Sequence, residues 1–319
     1  MNRRHALMSA AALLSSPLQL RAQTAATPLR LIVPTPAGGA SDAAARLIGQ
    51  AWTRSGARQV TVENRPGAGG ALAARALLDA RPDGQTLLWA LASMAGIPVL
   101  QKSPPFASLA EFAPVGLAGH LVFGLFVPAD AAPRSVSDLV AQARARPDAL
   151  SCAHGTLGEM MAATQFMKAS GTRVVLVPYK GGAQLMPDLA SGRVQLNFGP
   201  LAGALPQIQA GRVRALAVLS DRRSPLLPEV PTLAEAGVAA AGPLPTWQAL
   251  LAPPQTPAAE AQRLSRELGA LLRDAELRAA LERLALQPEA STPEALAGTV
   301  ASATATWRQF VAEHAVAAE

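Results

Sequence analysis

Four times along the chain, a short apolar segment ends in glycines and other small residues, and a helical pattern follows at once. These junctions lie at residues 36–39, 66–70, 154–158 and 179–182. The apolar segments have the length of strands, and alternation of strands with helices indicates an α/β protein with largely parallel sheets. Two junctions fall in the first third of the chain and two in the middle third, so each half of the fold would contribute a pair.

Glycine-rich junctions of this kind predict where a ligand would bind. In open parallel sheets, ligands sit beyond the carboxyl ends of the strands. Glycines allow the backbone to approach a ligand closely, and a helix N-terminus offers N–H groups that attract an anion. Any one such loop could be an ordinary turn. As a set, the four loops predict one cleft lined by donors that favour an anionic ligand.

The first 22 residues have a different character from the rest of the chain. Arg3 and Arg4 precede an apolar run at 6–14, and small residues lead to Ala22. This pattern is typical of a signal peptide cleaved after Ala22, which predicts export to the periplasm. The general secretory route and the twin-arginine route both remain open. The full chain has 28 basic and 22 acidic residues, a net charge of +6. Loss of residues 1–22 removes three arginines and no acidic residue, which leaves 25 basic and 22 acidic residues, a net charge of +3. The basic composition therefore needs no nucleic acid to explain it.

The glycine loop at 66–70 resembles part of a dinucleotide fingerprint but lacks its other parts. After Gly67 and Gly69 the third glycine position is Leu72, and the strand predicted at 86–92 ends without an acid for a ribose. The segment 39–43 lacks the final glycine of a nucleophile elbow. The remaining histidines have no metal-binding spacing, and Cys152 is the only cysteine. We therefore expect no catalytic residues, no metal, no cofactor and no enzymatic activity.

Several motifs together resemble one family. They are VPTPAGGASDAAAR (33–46), VENRPGAGG (62–70), PDGQTLL (82–88), VPYKGG (177–182), the long segment 205–237 and STPEAL (291–296). In this order they are similar to the Bug family, the substrate-binding receptors of tripartite tricarboxylate transporters. The resemblance covers essentially the whole chain after the signal peptide.

The resemblance implies an α/β fold of the type II periplasmic binding protein class, with two doubly wound lobes and a ligand cleft between them. It implies one lobe at 28–124 plus 222–319 and a second at 125–221, with closure about the strand at 121–127 and a return near 220–224. The implied ligand is a small organic acid, held largely by backbone groups and ordered waters. The implied partners are the membrane subunits of a tripartite transporter, and the chain is expected to be a monomer. A sensor that delivers its ligand to a signalling receptor is the alternative, and a secreted α/β enzyme is a weaker one.

By match of position, the resemblance also implies a set of ligand-binding residues. From the first lobe they are Ala37, Gly38, Gly39, Ser41, Gly67, Ala68, Gly69, Gly70, Ser93 and Ala95; from the second they are Thr156, Gly181, Gly182, Ala183 and Gly199. Asp42 is expected to brace its loop rather than to touch an anion, because like charges repel.

Two positions depart from the family pattern. Gly199 follows Phe198 where an acid is common, and Glu159 with Met160 stands where a polar Ser-Ser-His-like run is common. Glu159 is interpreted as a helix cap. Met160 and Met161 could also be core residues. If Met160 faces the cleft, the expected ligand is a carboxylate with an apolar or bulky remainder, rather than an amino acid or a tricarboxylate.

Overall fold

Two mixed sheets, one in each lobe, organise the chain in the computed structural model, which describes residues 28–238 and 244–314. The expected signal peptide at 1–22 lies outside the described residues. Within the two described ranges, no helix is long and apolar enough to cross a bilayer.

The first sheet has six strands in the order β11-β4-β10-β3-β1-β2. They are β1 (Leu29–Val33), β2 (Val60–Asn64), β3 (Thr86–Leu91), β4 (Ala113–Leu121), β10 (Trp247–Ala252) and β11 (Leu286–Pro288). The first three run parallel to one another, whereas β10 is antiparallel to both of its neighbours. β3 is almost continuously apolar and buried, as expected for a strand covered on both faces.

The second sheet has five strands in the order β7-β6-β8-β5-β9. They are β5 (Phe123–Pro128), β6 (Ser151–His154), β7 (Val175–Pro178), β8 (Leu196–Pro200) and β9 (Val213–Leu219). Here β6, β7 and β8 are parallel, and β5 is antiparallel to β8 and β9. The second sheet therefore repeats the order of the first, with β5 in the place of β10.

Helices cover both faces of each sheet. They are α1 (Ala40–Arg54), α2 (Ala71–Leu78), α3 (Ile97–Leu100), α4 (Val136–Ala145), α5 (Leu157–Ser170), α6 (Gly182–Ala190), α7 (Leu201–Gln209), α8 (Ala258–Leu271), α9 (Ala275–Arg283) and α10 (Pro293–His314). Three 3₁₀ helices lie at Ala68–Gly70, Ala92–Gly96 and Leu109–Glu111. The two sheets with their covering helices confirm the predicted α/β fold with two doubly wound lobes.

Each lobe has its own apolar core. In the first lobe, Trp52, Trp89 and Trp307 are fully buried, and α10 packs along β4 and the 3₁₀ helix at Ala92–Gly96. In the second lobe, separate clusters lie on the two faces of the sheet, and Phe166 and Phe198 pack with ring centroids 5.1 Å apart. Met161 of α5 belongs to the first-lobe core, so this helix of the second lobe also anchors on the first.

Some elements differ from the sequence expectation. The predicted strand at 121–127 is two strands, because β4 ends at Leu121 in the first sheet and β5 begins at Phe123 in the second. α1 begins at Ala40, and its N-cap is Gly39, which lies two or three residues before the expected cap at Ser41 or Asp42.

The chain does not return to the first lobe at 220–224. Val218 forms a parallel bridge with Thr232, and Leu227, Val230 and Val238 pack in the cores of the second lobe. The first sheet resumes at Trp247. We therefore propose that the second lobe begins near Phe123 and extends to about residue 238, beyond the expected 125–221.

A buried polar chain connects the core of the first lobe to α1. The Trp89 indole N–H donates to Gln248 Oε1 at 2.5 Å, and Gln248 Nε2 donates to Ser41 Oγ at 2.8 Å. All three residues are buried. Gln248 lies on β10, between β3 and β4. It thus accepts the indole N–H of Trp89 and holds Ser41 in the first turn of α1.

The Gln248→Met variant tests this connection. It preserves side-chain volume but leaves the buried Trp89 N–H without an acceptor, which costs about 1–3 kcal/mol. We expect the free energy of unfolding in urea to fall by that amount. Gln50→Met, at an exposed position on α1, serves as the control and should change it by less than about 0.5 kcal/mol. Equal effects of the two substitutions would show that the polar chain does not stabilise the lobe.

Candidate ligand-binding cleft

Two adjoining cavities lie between the lobes, at the carboxyl ends of the parallel strands. The first, which we call the glycine-loop cavity, has a volume of about 490 Å³. The second, which we call the acceptor cavity, has a volume of about 250 Å³. Thr35 and Thr156 line both cavities. One small ligand could therefore contact both.

A larger cavity of about 860 Å³ lies away from this cleft, beside the segments where the chain crosses between lobes. Its lining includes Leu121, Val122, Leu219 and Val238 but none of the four glycine-rich junctions. Its lining includes Val238 and Leu244, the described residues on either side of the gap at 239–243. We therefore place the candidate site in the two smaller cavities.

The loop between β2 and α2 turns through four consecutive positive φ angles. The values are 131° for Gly67, 47° for Ala68, 63° for Gly69 and 106° for Gly70. Ala68 carries a side chain in the left-handed region, which is uncommon and costs conformational energy. A Cβ on Gly70 would lie 3.0 Å from Met94. The loop is thus held in a strained path that brings its backbone to the cavity wall.

The loop between β1 and α1 is braced by Asp42. Its carboxylate accepts from Gly38 N at 2.9 Å, Arg46 Nε at 3.0 Å and Asn64 Nδ2 at 2.8 Å. Burial works against ionisation of Asp42, but the bonds from Arg46, Gly38 and Asn64 outweigh it, so its pKa lies below the ordinary value. Asp42 therefore holds the loop, as expected from the sequence, and does not line either cavity.

Two glycine loops of the second lobe meet at the cleft. A Cβ on Gly155 would lie 2.6 Å from the Cα of Gly181, so a side chain there would collide with the facing loop. Thr156 caps α5 by accepting from Glu159 N at 3.2 Å. Gly181 has φ of 153° and stands before the first turn of α6. These residues bring the N-termini of α5 and α6 to the same side of the cleft.

The lobes touch across the cleft. A Cβ on Gly69 would lie 3.2 Å from Leu157, and one on Gly181 would lie 3.0 Å from Pro36 of the facing lobe. At the surface, Lys168 of α5 forms an ion pair with Glu313 of α10 at 2.9 Å. The arrangement is that of a two-lobed receptor with its lobes together, and small residues at the contact permit the close approach.

Most of the predicted site residues line the cleft. Those that do are Gly38, Gly39, Ser41, Gly67, Ala68, Gly69, Gly70, Ser93, Thr156, Gly181 and Gly182. Ala37 is exposed outside both cavities, Ala95 is buried in the first-lobe core, and Gly199 lies inside β8 beside Asn197. These three do not line the cavities. Ala183 stands in the first turn of α6, and its side chain lies outside the description.

The sequence reasoning missed the polar side chains of the cleft. Thr35 lines both cavities, Lys180 lines the glycine-loop cavity, and Asn197 and Gln207 line the acceptor cavity. Lys180 lies in the VPYKGG motif, which could have indicated it. Thr35, Asn197 and Gln207 had no comparable signal, because their positions depend on how strands and helices meet.

The charges of the two cavities differ in sign. Among the described residues, Lys180 is the one charged side chain that lines the glycine-loop cavity. Glu159 is the one charged side chain among the described residues that line the acceptor cavity. The cleft therefore has a cationic end and an acidic end.

Glu159 is buried, with 3% of its surface exposed. Gly155 N donates to its Oε2 at 2.5 Å, so it does help to cap α5, and the Asn197 amide lies within hydrogen-bonding reach. Burial raises the pKa of the Glu159 carboxyl to about 7, against the opposing effects of Gly155, Asn197 and Thr156.

Three polar atoms at the cleft are buried without a hydrogen-bond partner among the described residues. They are Thr35 Oγ1, Asn197 Oδ1 and Gln207 Oε1. Buried polar atoms are normally bonded, so each of these calls for an explanation. Met160, by contrast, packs against the first-lobe core and lines neither cavity. The premise for an apolar ligand remainder, that Met160 faces the cleft, is therefore wrong.

The described residues do not meet the requirements of a metal site or of a reactive thiol. Within the described ranges, no group of three or more His, Cys, Asp or Glu side chains is placed to hold a metal ion. Cys152 is fully buried, and burial raises the pKa of its thiol to about 12. A fold of two lobes with a donor-lined cleft between them is that of a solute-binding receptor.

Comparison with known proteins agrees with this class. The model of the tripartite tricarboxylate transporter family receptor matches residues 44–315. A protein from the tcbD-tcbE intergenic region of Pseudomonas sp. strain P51 is 35% identical over 289 residues, with 90% of this chain and 86% of that protein covered. Protein BugT of Bordetella pertussis is 32% identical, with 90% and 89% covered.

Several solved structures are similar to this chain over nearly their whole length. The periplasmic binding protein BugD has a TM-score of 0.84 and 28% identity, covering 92% of this chain and 99% of that one. R. palustris Rpa4515, solved with adipate, has a TM-score of 0.87 and 28% identity, covering 92% and 98%. MatC from Rhodopseudomonas palustris, solved with bound malate, has a TM-score of 0.80 and 26% identity, covering 89% and 98%.

The fold and the cleft define a periplasmic solute-binding protein of the two-lobed type. The chain belongs to the family of tripartite tricarboxylate transporter receptors, the Bug family. This family and fold are those of binding receptors and not of enzymes.

The buried position of Glu159 predicts a pH effect on stability. Because its pKa is raised from 4.5 to about 7, the folded protein retains a proton that the unfolded chain releases, so stability falls as pH rises through that window. Glu159→Gln removes this contribution, which we expect to be about 3 kcal/mol between pH 4.5 and 7.

Urea unfolding at several pH values checks this expectation. Other carboxylates, including Asp42, titrate in both proteins and cancel in the comparison. Glu282→Gln, at an exposed position on α9, controls for the loss of one carboxylate. If native protein and Glu159→Gln show the same pH profile of stability, Glu159 does not hold a proton in the folded state.

Proposed function

We propose that the cleft binds a small organic acid and that the glycine-loop cavity receives its carboxylate. The observation that carries the proposal is the lining of this cavity. The strained loop at 67–70, the cation Lys180 and the hydroxyl-bearing residues Thr35, Ser93 and Thr156 all line it, and no acidic residue among the described ones does. A carboxylate there would meet backbone donors, hydroxyls and a positive charge.

Helix N-termini add to the preference for an anion. α1, α5 and α6 all begin at the cleft, and the first N–H groups of a helix have no acceptor within it. Their partial positive charge favours a negatively charged ligand. The N-terminal residues Gly38, Gly39 and Ser41, with Gly181 and Gly182, line the adjoining acceptor cavity. They would bind carboxyl oxygens of a ligand that reaches from one cavity into the other, directly or through water.

The ligands of the structural relatives support the same chemical class. Rpa4515 was solved with adipate and MatC with malate, and both are carboxylates. In this chain, ligand binding would hold the lobes together through the contacts that Gly69 and Gly181 permit. The closed form would then present a surface to a membrane partner.

We further propose that residues 1–22 direct export and are removed, which places the receptor in the periplasm. The partners would be the membrane subunits of a tripartite transporter, to which the receptor would deliver its ligand as a monomer. The family to which the chain belongs supports this role.

A binding measurement on protein purified from the periplasm tests the proposal. We expect isothermal titration to detect binding of small mono- and dicarboxylates, and their uncharged amides to be bound far more weakly. Lys180→Met should weaken binding of every carboxylate by roughly tenfold, because it removes a charge-assisted hydrogen bond.

Lys102→Met provides the matched control, because Lys102 is also exposed but lines neither cavity of the cleft. The proposal fails if no carboxylate binds, or if amides bind as well as the acids do. Equal binding by native protein and Lys180→Met would instead remove Lys180 from the site.

A further inference from the structure

We propose that α5 is a latch that holds the two lobes together before any ligand binds, with the ion pair of Lys168 and Glu313 at its outer end. The ligand-free receptor is then mainly closed, and it must open in order to admit a ligand. This inference goes beyond the proposed function, because it concerns the equilibrium between the lobes and not the contacts of the ligand.

One side of α5 belongs to the second lobe. Ala163 and Phe166 lie in the second-lobe core, and the ring centroids of Phe166 and Phe198 are 5.1 Å apart. Arg144 of α4 donates two hydrogen bonds to the carbonyl of Ser170, the last residue of α5, at 2.9 and 2.6 Å. The helix is therefore attached to the second lobe and moves with it.

The opposite side of α5 lies against the first lobe. Near the start of the helix, a Cβ on Gly69 would lie 3.2 Å from Leu157. One turn later, Met161 is fully buried within the first-lobe core. About two turns further along, Lys168 Nζ donates to Glu313 Oε2 of α10 at 2.9 Å. At 1.5 Å per residue, this face of α5 contacts the first lobe over about 16 Å, from the cleft to the outer surface.

The ion pair is the part of the latch that can be removed without disturbing a core. Gln309 Nε2 donates to Glu313 Oε1 at 2.8 Å, and the pKa of Glu313 lies below its ordinary value because Lys168 and Gln309 both donate to its carboxylate. Both charged side chains are partly exposed, so water and salt screen the pair. An exposed pair changes an equilibrium constant by roughly twofold to fivefold. The apolar contacts of Leu157 and Met161 therefore supply most of the latch.

None of these contacts depends on a ligand. Leu157, Met161 and Lys168 line neither the glycine-loop cavity nor the acceptor cavity. Separation of the lobes would expose apolar surface of Met161 to water and would break the ion pair with Glu313. Burial of apolar surface thus favours the closed form whether or not the cleft is occupied.

Distances between the lobes in ligand-free protein test the latch. Nitroxide labels at Arg75→Cys on α2 and Gln184→Cys on α6 would report the separation, because both positions are exposed and each lies on one lobe. Cys152 is buried and would stay unlabelled. After bound molecules are removed by unfolding and refolding, we expect the separation of this structure to dominate. A longer distance that dominates in the ligand-free native protein would overturn the inference.

Substitutions at the ion pair identify the latch. Lys168→Met should raise the ratio of open to closed ligand-free protein by roughly twofold to fivefold. Lys168→Glu should raise it further, because like charges repel, and the exchanged pair Lys168→Glu with Glu313→Lys should restore the native ratio. Lys102→Met, at another exposed lysine, is the control and should leave the ratio unchanged. Equal ratios in native protein and Lys168→Met, or no restoration by the exchange, would overturn the inference.

Binding rates of a carboxylate separate the latch from the binding site. Because a closed receptor must open first, Lys168→Met should speed association and dissociation alike by roughly twofold to fivefold and change the affinity by less than about twofold. Lys180→Met, within the cleft, should instead weaken the affinity. A lower affinity of Lys168→Met with unchanged association would contradict a closed ligand-free receptor. If no carboxylate binds, the proposed function fails, whereas the distance measurements still decide the latch.

Discussion

Each sheet is completed by a strand that arrives across the junction between the lobes. β10 inserts antiparallel between β3 and β4, and β5 inserts in the same way between β8 and β9. Neither lobe has a continuous sheet without its inserted strand. Because β10 also carries Gln248, the strand that closes the first sheet is the one that fixes Trp89 and Ser41. β10, which the chain reaches by crossing between the lobes, thus both completes the first sheet and holds α1 at the cleft.

The parallel strands on either side of the inserted ones direct their carboxyl ends to one place. The loops after β1 and β2 in the first lobe face the loops after β6 and β7 in the second. Helix N-termini follow these loops, so backbone donors line the cleft before any side chain is considered. Glycine is required where the loops come together, as at Gly155 against Gly181, because a Cβ would push these two loops of the second lobe apart. The backbone sets the preference for an anion, and a few side chains adjust it.

The sequence predicted the strands and helices with strong apolar patterns and most of the backbone part of the site. β4 was missed because Pro114, Gly116 and Gly119 interrupt its apolar pattern, and α7 was missed because Pro206 falls inside it. Glycine loops could be predicted because their role is local. Thr35, Asn197 and Gln207 could not, because each reaches the cleft only through the packing of distant elements. Glu159 was noticed and interpreted as a cap. It does bond Gly155, but its burial beside Asn197 is a tertiary feature that no local pattern encodes.

The contact between the lobes bears on how a ligand could control them. Leu157 of the second lobe lies close to Gly69 of the first, and Pro36 of the first lobe lies close to Gly181 of the second. The cleft is therefore lined by both lobes at once only when they are together. A ligand that contacts residues of both lobes would bind the closed form more tightly than an open one, and that difference in affinity is what a ligand needs in order to shift the equilibrium.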